Sequence, residues 1–217
     1  MQDETAIRTK MLALVKRLEE LNLNIASTGN ISCRLGDRVL ITPTGAHSGN
    51  LTPDSLVVID LDGNVLSGGI PSSEWELHTA VLSNYPNAEA VIHTHADSCV
   101  VLSCLRESIP AFHYMIAGFG GNDVRCATYQ PFGSTALSAS VVEALKDRSG
   151  CLLANHGMVV HGKSLDHALT SCIKLETLAR QYMLAKQTGT PVILTEAEMA
   201  EVRKRYGYYG TSAMPRD

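Results

Sequence analysis

Along these 217 residues the apolar pattern keeps changing its period, and no apolar run is longer than four or five residues. A membrane-spanning helix needs about 20 in a row, so none is expected. Residues 4–21 carry Ile7, Met11, Leu14, Val15, Leu18 and Leu21 at spacings of three and four, which predicts an amphipathic helix. Short strand-like runs follow at Ile31–Leu35 and Arg38–Thr42, joined by Gly36-Asp37, and at Leu56–Leu61 and Val65–Leu66, joined by Asp62-Gly63-Asn64. A helix is expected from Ser72 or Ser73 to about Asn84, with Ser73 and Glu76 at capping-box spacing. Next come a strand at Ala90–Thr94, a helix at Ser98–Leu105, a strand over 124–129 and a helix over 135–146. Strands at Cys151–Asn155 and Met158–His161 flank Gly157, and helices over Asp166–Lys186 and Glu196–Tyr206 close the pattern. Short strands in hairpins, mixed with helices, predict an α/β fold: a mixed sheet covered by helices, as one domain over 1–217. Residues from about 207 onward form an aromatic, then polar, tail.

Charge and cysteine usage narrow the function classes. The chain has 18 basic and 22 acidic residues and no block of five or more Lys/Arg. Nucleic acid and anionic membrane are therefore not expected partners. The cysteines at 33, 99, 104, 126, 151 and 172 form no Cys-x-x-Cys pair, and Met1–Lys10 lacks the apolar core of an export signal. The expectation is reduced, mostly buried thiols in a cytoplasmic protein.

Two groups of residues carry chemistry. His93-Thr94-His95 ends an apolar strand, where alternation aims both imidazoles at one face. With 8 histidines in the chain, chance alone produces about 0.3 His-x-His matches, so the motif needs support. A third imidazole, His156, also follows an apolar strand run, and Gly157 after it permits a sharp turn. Three imidazoles with one exchangeable position make a catalytic zinc pattern. Glu74, near a helix start, is placed to be a fourth ligand or a base. His78, four residues on, is the rival ligand, and a structural role suits it better. The second group consists of small-residue clusters, Thr28-Gly29-Asn30, Thr42-Pro43-Thr44-Gly45 and Ser72-Ser73. They offer hydroxyls, backbone amides and a helix N-terminus to an anion, or serve simply as turns and a cap.

The stretches Thr28–Ser32, Leu40–Gly45, Pro71–Trp75, His93–Ala96, Ile109–Ala117 and Asn155–Gly157, in that order across about residues 5–185, resemble the class II aldolase/adducin family. The resemblance implies a three-layer α/β/α sandwich with a mixed, largely antiparallel sheet. It also implies a homotetramer with active sites between subunits, and reversible cleavage of a ketose 1-phosphate of the L-fuculose 1-phosphate kind to dihydroxyacetone phosphate and a small aldehyde. By the same resemblance, His93, His95 and His156 bind one Zn2+ per subunit, with Mn2+ or Co2+ as other fits. Glu74 becomes the acid/base that also reaches the metal. Asn30, Thr44, Gly45, Ser72 and Ser73 form the phosphate pocket, with Thr28 and Gly29 beside it. Tyr114 handles the proton on the aldehyde oxygen across a subunit boundary. A tyrosine of the tail, Tyr209 being the choice within Tyr206–Gly210, helps bind the aldehyde, and Phe132 lies near that pocket. Aldolases for 5-deoxyribulose or 5-methylthioribulose 1-phosphate, 4-epimerases, dehydratases and an adducin-like binding module share the resemblance. Epimerases tend to carry Asp-Thr where this chain has Glu74-Trp75.

Overall fold

The computed structural model describes residues 3–206. Ten strands are found among them: β1 (Asn30–Leu35), β2 (Arg38–Ile41), β3 (Val57–Asp60), β4 (Val65–Ser67), β5 (Ala90–Thr94), β6 (Ile109–Pro110), β7 (Asp123–Val124), β8 (Cys126–Ala127), β9 (Gly150–Leu153) and β10 (Gly157–Gly162). The α-helices of this region are α1 (Glu4–Glu20), α2 (Trp75–Asn84), α3 (Asp97–Leu105), α4 (Thr135–Ala144), α5 (Leu165–Thr188) and α6 (Glu196–Tyr206). Eight strands make one sheet in the order β4-β3-β2-β1-β5-β10-β9-β8, while β6 and β7 pair separately. Within the large sheet only β8 and β9 run parallel.

Strand alternation divides the interior into two cores. Leu40, Val58, Ile92 and Val160 pack with Met11 and Leu18 of α1, Leu102 of α3 and Cys172 and Leu175 of α5. Val39, Ile41, Val57, Ile59, Val91 and Val159 pack with Leu77 and Val81 of α2 and Leu137 and Val141 of α4. The result is a sheet sandwiched between two helical layers, each side closed by roughly 25 cal/mol for every Å² of apolar surface removed from water. His93 has the parity of Val91 on β5, so its side chain points to the α2 side. Four of the six free cysteines are buried, Cys126 is partly so and Cys104 is exposed. Among the described residues, no helix is long and apolar enough to cross a membrane.

Two local expectations need correction. The run over 124–129 is not one strand: Val124 pairs with Ile109, whereas Cys126 pairs with Leu152. The switch falls at Arg125, whose guanidinium donates to the carbonyls of Ala144 and Lys146. The capping box of Ser73 and Glu76 does not form either. The Ser72 N–H donates to Thr42 O at 3.0 Å in a bridge between the segments around Pro43 and Pro71, and α2 begins only at Trp75. Glu74 is left as the cap residue, and its side chain makes no capping bond.

Candidate functional site

His93 lies fully buried at the end of β5. Its Nδ1–H donates to the carbonyl of Met158 on β10 at 2.8 Å, which leaves the Nε2 lone pair free to point outward. His95 Nε2 lies 3.0 Å from that atom. His156 comes in from the turn between β9 and β10. Its N–H donates to Leu153 O at 3.0 Å and to Ser103 Oγ at 3.2 Å. Asn155 before it adopts φ +55°, with its Oδ1 accepting from Arg106 Nε at 2.9 Å. Gly157 after it has ordinary φ. A Cβ there would sit 2.4 Å from Thr94 O, so glycine serves close packing against β5 and not the turn angle expected from the sequence.

The three rings pack edge to face, with centroids 4.8–4.9 Å apart. One ligand atom from each lies within 4.8 Å of the others. Ligand nitrogens on one tetrahedral zinc sit about 3.3 Å apart, so the trio encloses room for a single ion. Burial, followed by the neighbouring His93, pushes His95 and His156 down to about 4. Neutral imidazole is the metal-binding form.

Glu74 completes the cluster. Its Oε2 is 3.1 Å from His93 Nε2, and its Oε1 is 3.5 Å from His156 Nε2. Burial on its own would raise this carboxyl. The contacts with His93, His156 and Asn30 outweigh it and hold the group below the usual carboxylate range. Among the described residues, Glu74 Oε1 is the buried side-chain polar atom without a hydrogen-bond partner. A buried, unpartnered carboxylate oxygen facing an imidazole trio fits a divalent cation on chemical grounds. The rival ligand His78 does not join the trio; its ring contacts Asn30 and Ser32.

A cleft of about 510 Å³ opens over this cluster. Thr28, Gly29, Asn30, Thr44, Gly45, Ser72 and Ser73 all line it, together with Glu74, His95 and His156. Thr44, Gly45 and Ser73 are exposed, and Gly45 takes φ +68° with open space where a side chain would be. The Thr28 hydroxyl works inside its own turn, donating to Ile25 O and accepting from Ile25 N–H. Gly29, at φ +74°, makes room for the Asn24 amide, which accepts from the His95 N–H at 3.4 Å. Asn30 Nδ2 donates to Glu74 Oε2 at 3.1 Å.

Sequence reasoning missed Tyr129 and Gln130, which line the cleft beside Phe132. Neither lies in a motif that would have marked it. Tyr114 is half exposed, stacked on His113, and is not part of this cleft's lining. Tyr209 and the tail from 207 lie outside the described residues.

The arrangement is that of a metal-dependent enzyme of the α/β class. Residues 9–183 match the family described as Class II Aldolase and Adducin N-terminal domain. A 5-methylthioribulose-1-phosphate/5-deoxyribulose-1-phosphate aldolase of Rhodospirillum rubrum is 41% identical over 208 residues, 96% of this chain and 94% of the relative. An L-fuculose phosphate aldolase of Escherichia coli is 42% identical over 194 residues, 89% and 90% of the two chains. A solved L-fuculose 1-phosphate aldolase superposes with a TM-score of 0.90 at 35% identity, covering 93% of this chain and 96% of that one. The chain belongs to the class II aldolase and adducin family. Within it, the chain is an enzyme, a lyase of the class II aldolase type.

Proposed function

We propose that this lyase is zinc-dependent and reversibly cleaves a ketose 1-phosphate to dihydroxyacetone phosphate and a small aldehyde. The observation that carries the reading is Glu74: one buried oxygen without a partner beside an imidazole trio, at the base of a cleft whose rim consists of small polar loops. Those loops are Thr28–Asn30, Thr44–Gly45 and Ser72–Ser73, and they would hold the phosphate with hydroxyls and backbone amides. The ketose is thereby fixed with its carbonyl end over the metal cluster. His93, His95, His156 and, without substrate, Glu74 would hold the ion. When bound, the metal supplies positive charge that stabilises the electron pair left beside the ketone as the carbon–carbon bond breaks. Glu74, having taken up a proton from solvent, would then give it to C3 of the departing dihydroxyacetone phosphate. Tyr114 of a neighbouring copy takes the proton from the C4 hydroxyl, in a homotetramer whose sites lie between subunits.

The aldehyde has two candidates. One is the product of an L-fuculose 1-phosphate-like ketose. The second is the tail of 5-deoxyribulose or 5-methylthioribulose 1-phosphate. The exposed aromatic wall of Tyr129 and Phe132 favours this less hydroxylated tail. A panel of ketose 1-phosphates of differing tail, assayed for dihydroxyacetone phosphate release, tests the proposal. Release from at least one is expected, lost on metal stripping and restored by zinc. No release from any would overturn the aldolase reading in favour of an epimerase or a dehydratase.

A further inference from the structure

We infer that His78 is a positioning residue for this reaction: it sets the orientation of the Asn30 amide and, through that amide, the carboxylate of Glu74. The inference rests on the reading of Glu74 as the group that moves the C3 proton.

The geometry is a helix pair set over a strand pair. Glu74 and His78 stand one turn apart at the start of α2, and both turn toward the sheet. Asn30 and Ser32 stand two residues apart on β1, on one face. Asn30 is also the cross-strand partner of His93 in the pairing of β1 with β5. His78 is fully buried, and its two ring nitrogens contact side chains only: Nδ1 lies 2.7 Å from Ser32 Oγ, and Nε2 meets Asn30 Oδ1.

The chemistry fixes each direction. A carboxylate only accepts, so the nitrogen of the Asn30 amide must face Glu74 and its oxygen must face His78. His78 Nε2 therefore carries the proton and donates, and Nδ1 accepts from the Ser32 hydroxyl. Burial pushes His78 down to about 3, consistent with this single neutral tautomer.

Without the donor at Nε2, only the bond to Glu74 Oε2 holds the amide against a half-turn. The flipped amide would present its oxygen to the Glu74 oxygen, replacing a 3.1 Å hydrogen bond with repulsion. Asn30 also lines the cleft, and its second amide hydrogen has no partner in the Glu74–His78 bridge. One amide orientation thus serves both the proton-carrying carboxylate and the polar rim. A histidine needed only for packing has no reason to select it.

Two variants separate the arms of the ring. In His78→Asn the shorter side chain ends near the place of Nδ1, keeping Ser32 and losing Asn30. In His78→Gln the longer one ends near the place of Nε2 and keeps donation to Asn30. The assay is exchange of the C3 proton of dihydroxyacetone phosphate with solvent, per folded, zinc-loaded molecule. His78→Asn is expected to slow exchange about 10- to 100-fold, with His78→Gln within about threefold of the parent. Equal effects of the two variants, or loss of melting temperature without loss of exchange, would overturn the inference. Should His78→Asn not fold, the apolar His78→Leu takes its place in the same comparison. In a Glu74→Gln background, His78→Asn should cost nothing further, because both act through one group. A full additional loss there overturns the inference while leaving the reading of Glu74 intact. Normal exchange in Glu74→Gln alone overturns the reading of Glu74, and the role of His78 falls with it.

Discussion

His78 is kept neutral in the fold down to about pH 3, whereas an ordinary histidine takes up its proton near pH 6.5. Between those values the unfolded chain holds one proton more than the folded one, so folding stability falls as pH falls. The loss begins below about pH 6.5 and has a slope of at most about 1.4 kcal/mol per pH unit from this group. Urea unfolding of the metal-stripped protein between about pH 7 and pH 5 should show the decline, with a shallower slope in His78→Gln. A slope unchanged by that substitution would mean that His78 is already protonated in the fold. The sequence exposed the residues of this centre unevenly. The clustering of His93, His95, His156 and Glu74 was legible because few residue types ligate metals and two of the histidines alternate at the end of one strand. The bridging of Asn30 was not, since it depends on α2 landing over β1, a contact between residues 44 apart. The spacing of His78 from Glu74 was a real signal, but the ring it marks contacts Asn30 and Ser32 and stays outside the imidazole trio.

At the level of elements, the site is delivered by three chain ends: the end of β5, the turn between β9 and β10, and the cap of α2. The turn is the most tightly determined, because Gly157 leaves no room for a methyl group against Thr94 O. Gly157→Ala should force β10 away from β5 and destabilise the protein by about 1–3 kcal/mol, in line with other overpacked sites. It should also weaken metal retention, since His156 precedes this glycine and His95 Cδ2 would lie 3.3 Å from the new methyl. Thermal unfolding and metal content after dialysis check both effects; full metal retention would separate the turn from the centre. Most elements could be read from periodicity, because burial on one face imposes it. The exceptions are the short strand β6, which no pattern marked, and two expectations that failed. The start of α2 moved from Ser72–Ser73 to Trp75 because a long-range bridge to Thr42 holds the Ser72 backbone. The run around Arg125 divided because its two halves find different strands, and local pattern carries no information about partners.

For the molecule as a whole, the location of Tyr114 has the largest consequence. Its ring is 52% exposed, rests on His113 and does not line the cleft that holds Glu74. If Tyr114 moves a proton in the reaction, the tyrosine must come from another copy of the chain, and each working site must draw on two subunits. Closed point-group symmetry makes this geometry self-consistent, because every copy then donates one tyrosine and receives one. The idea has a quantitative consequence. Glu74→Gln and Tyr114→Phe homo-oligomers are each expected to be nearly inactive in cleavage. In oligomers assembled from an equal mixture of the two, a site is intact when Glu74 comes from a Tyr114→Phe subunit and Tyr114 from a Glu74→Gln subunit. With random assembly about a quarter of the sites meet that condition, so cleavage should return to about a quarter of the parent rate. Co-expression of two differently tagged variants, tandem purification of the mixed species and a dihydroxyacetone phosphate release assay would measure it. Were each chain self-sufficient, every site in the mixture would still lack one group, and activity would stay at the mean of the two parents.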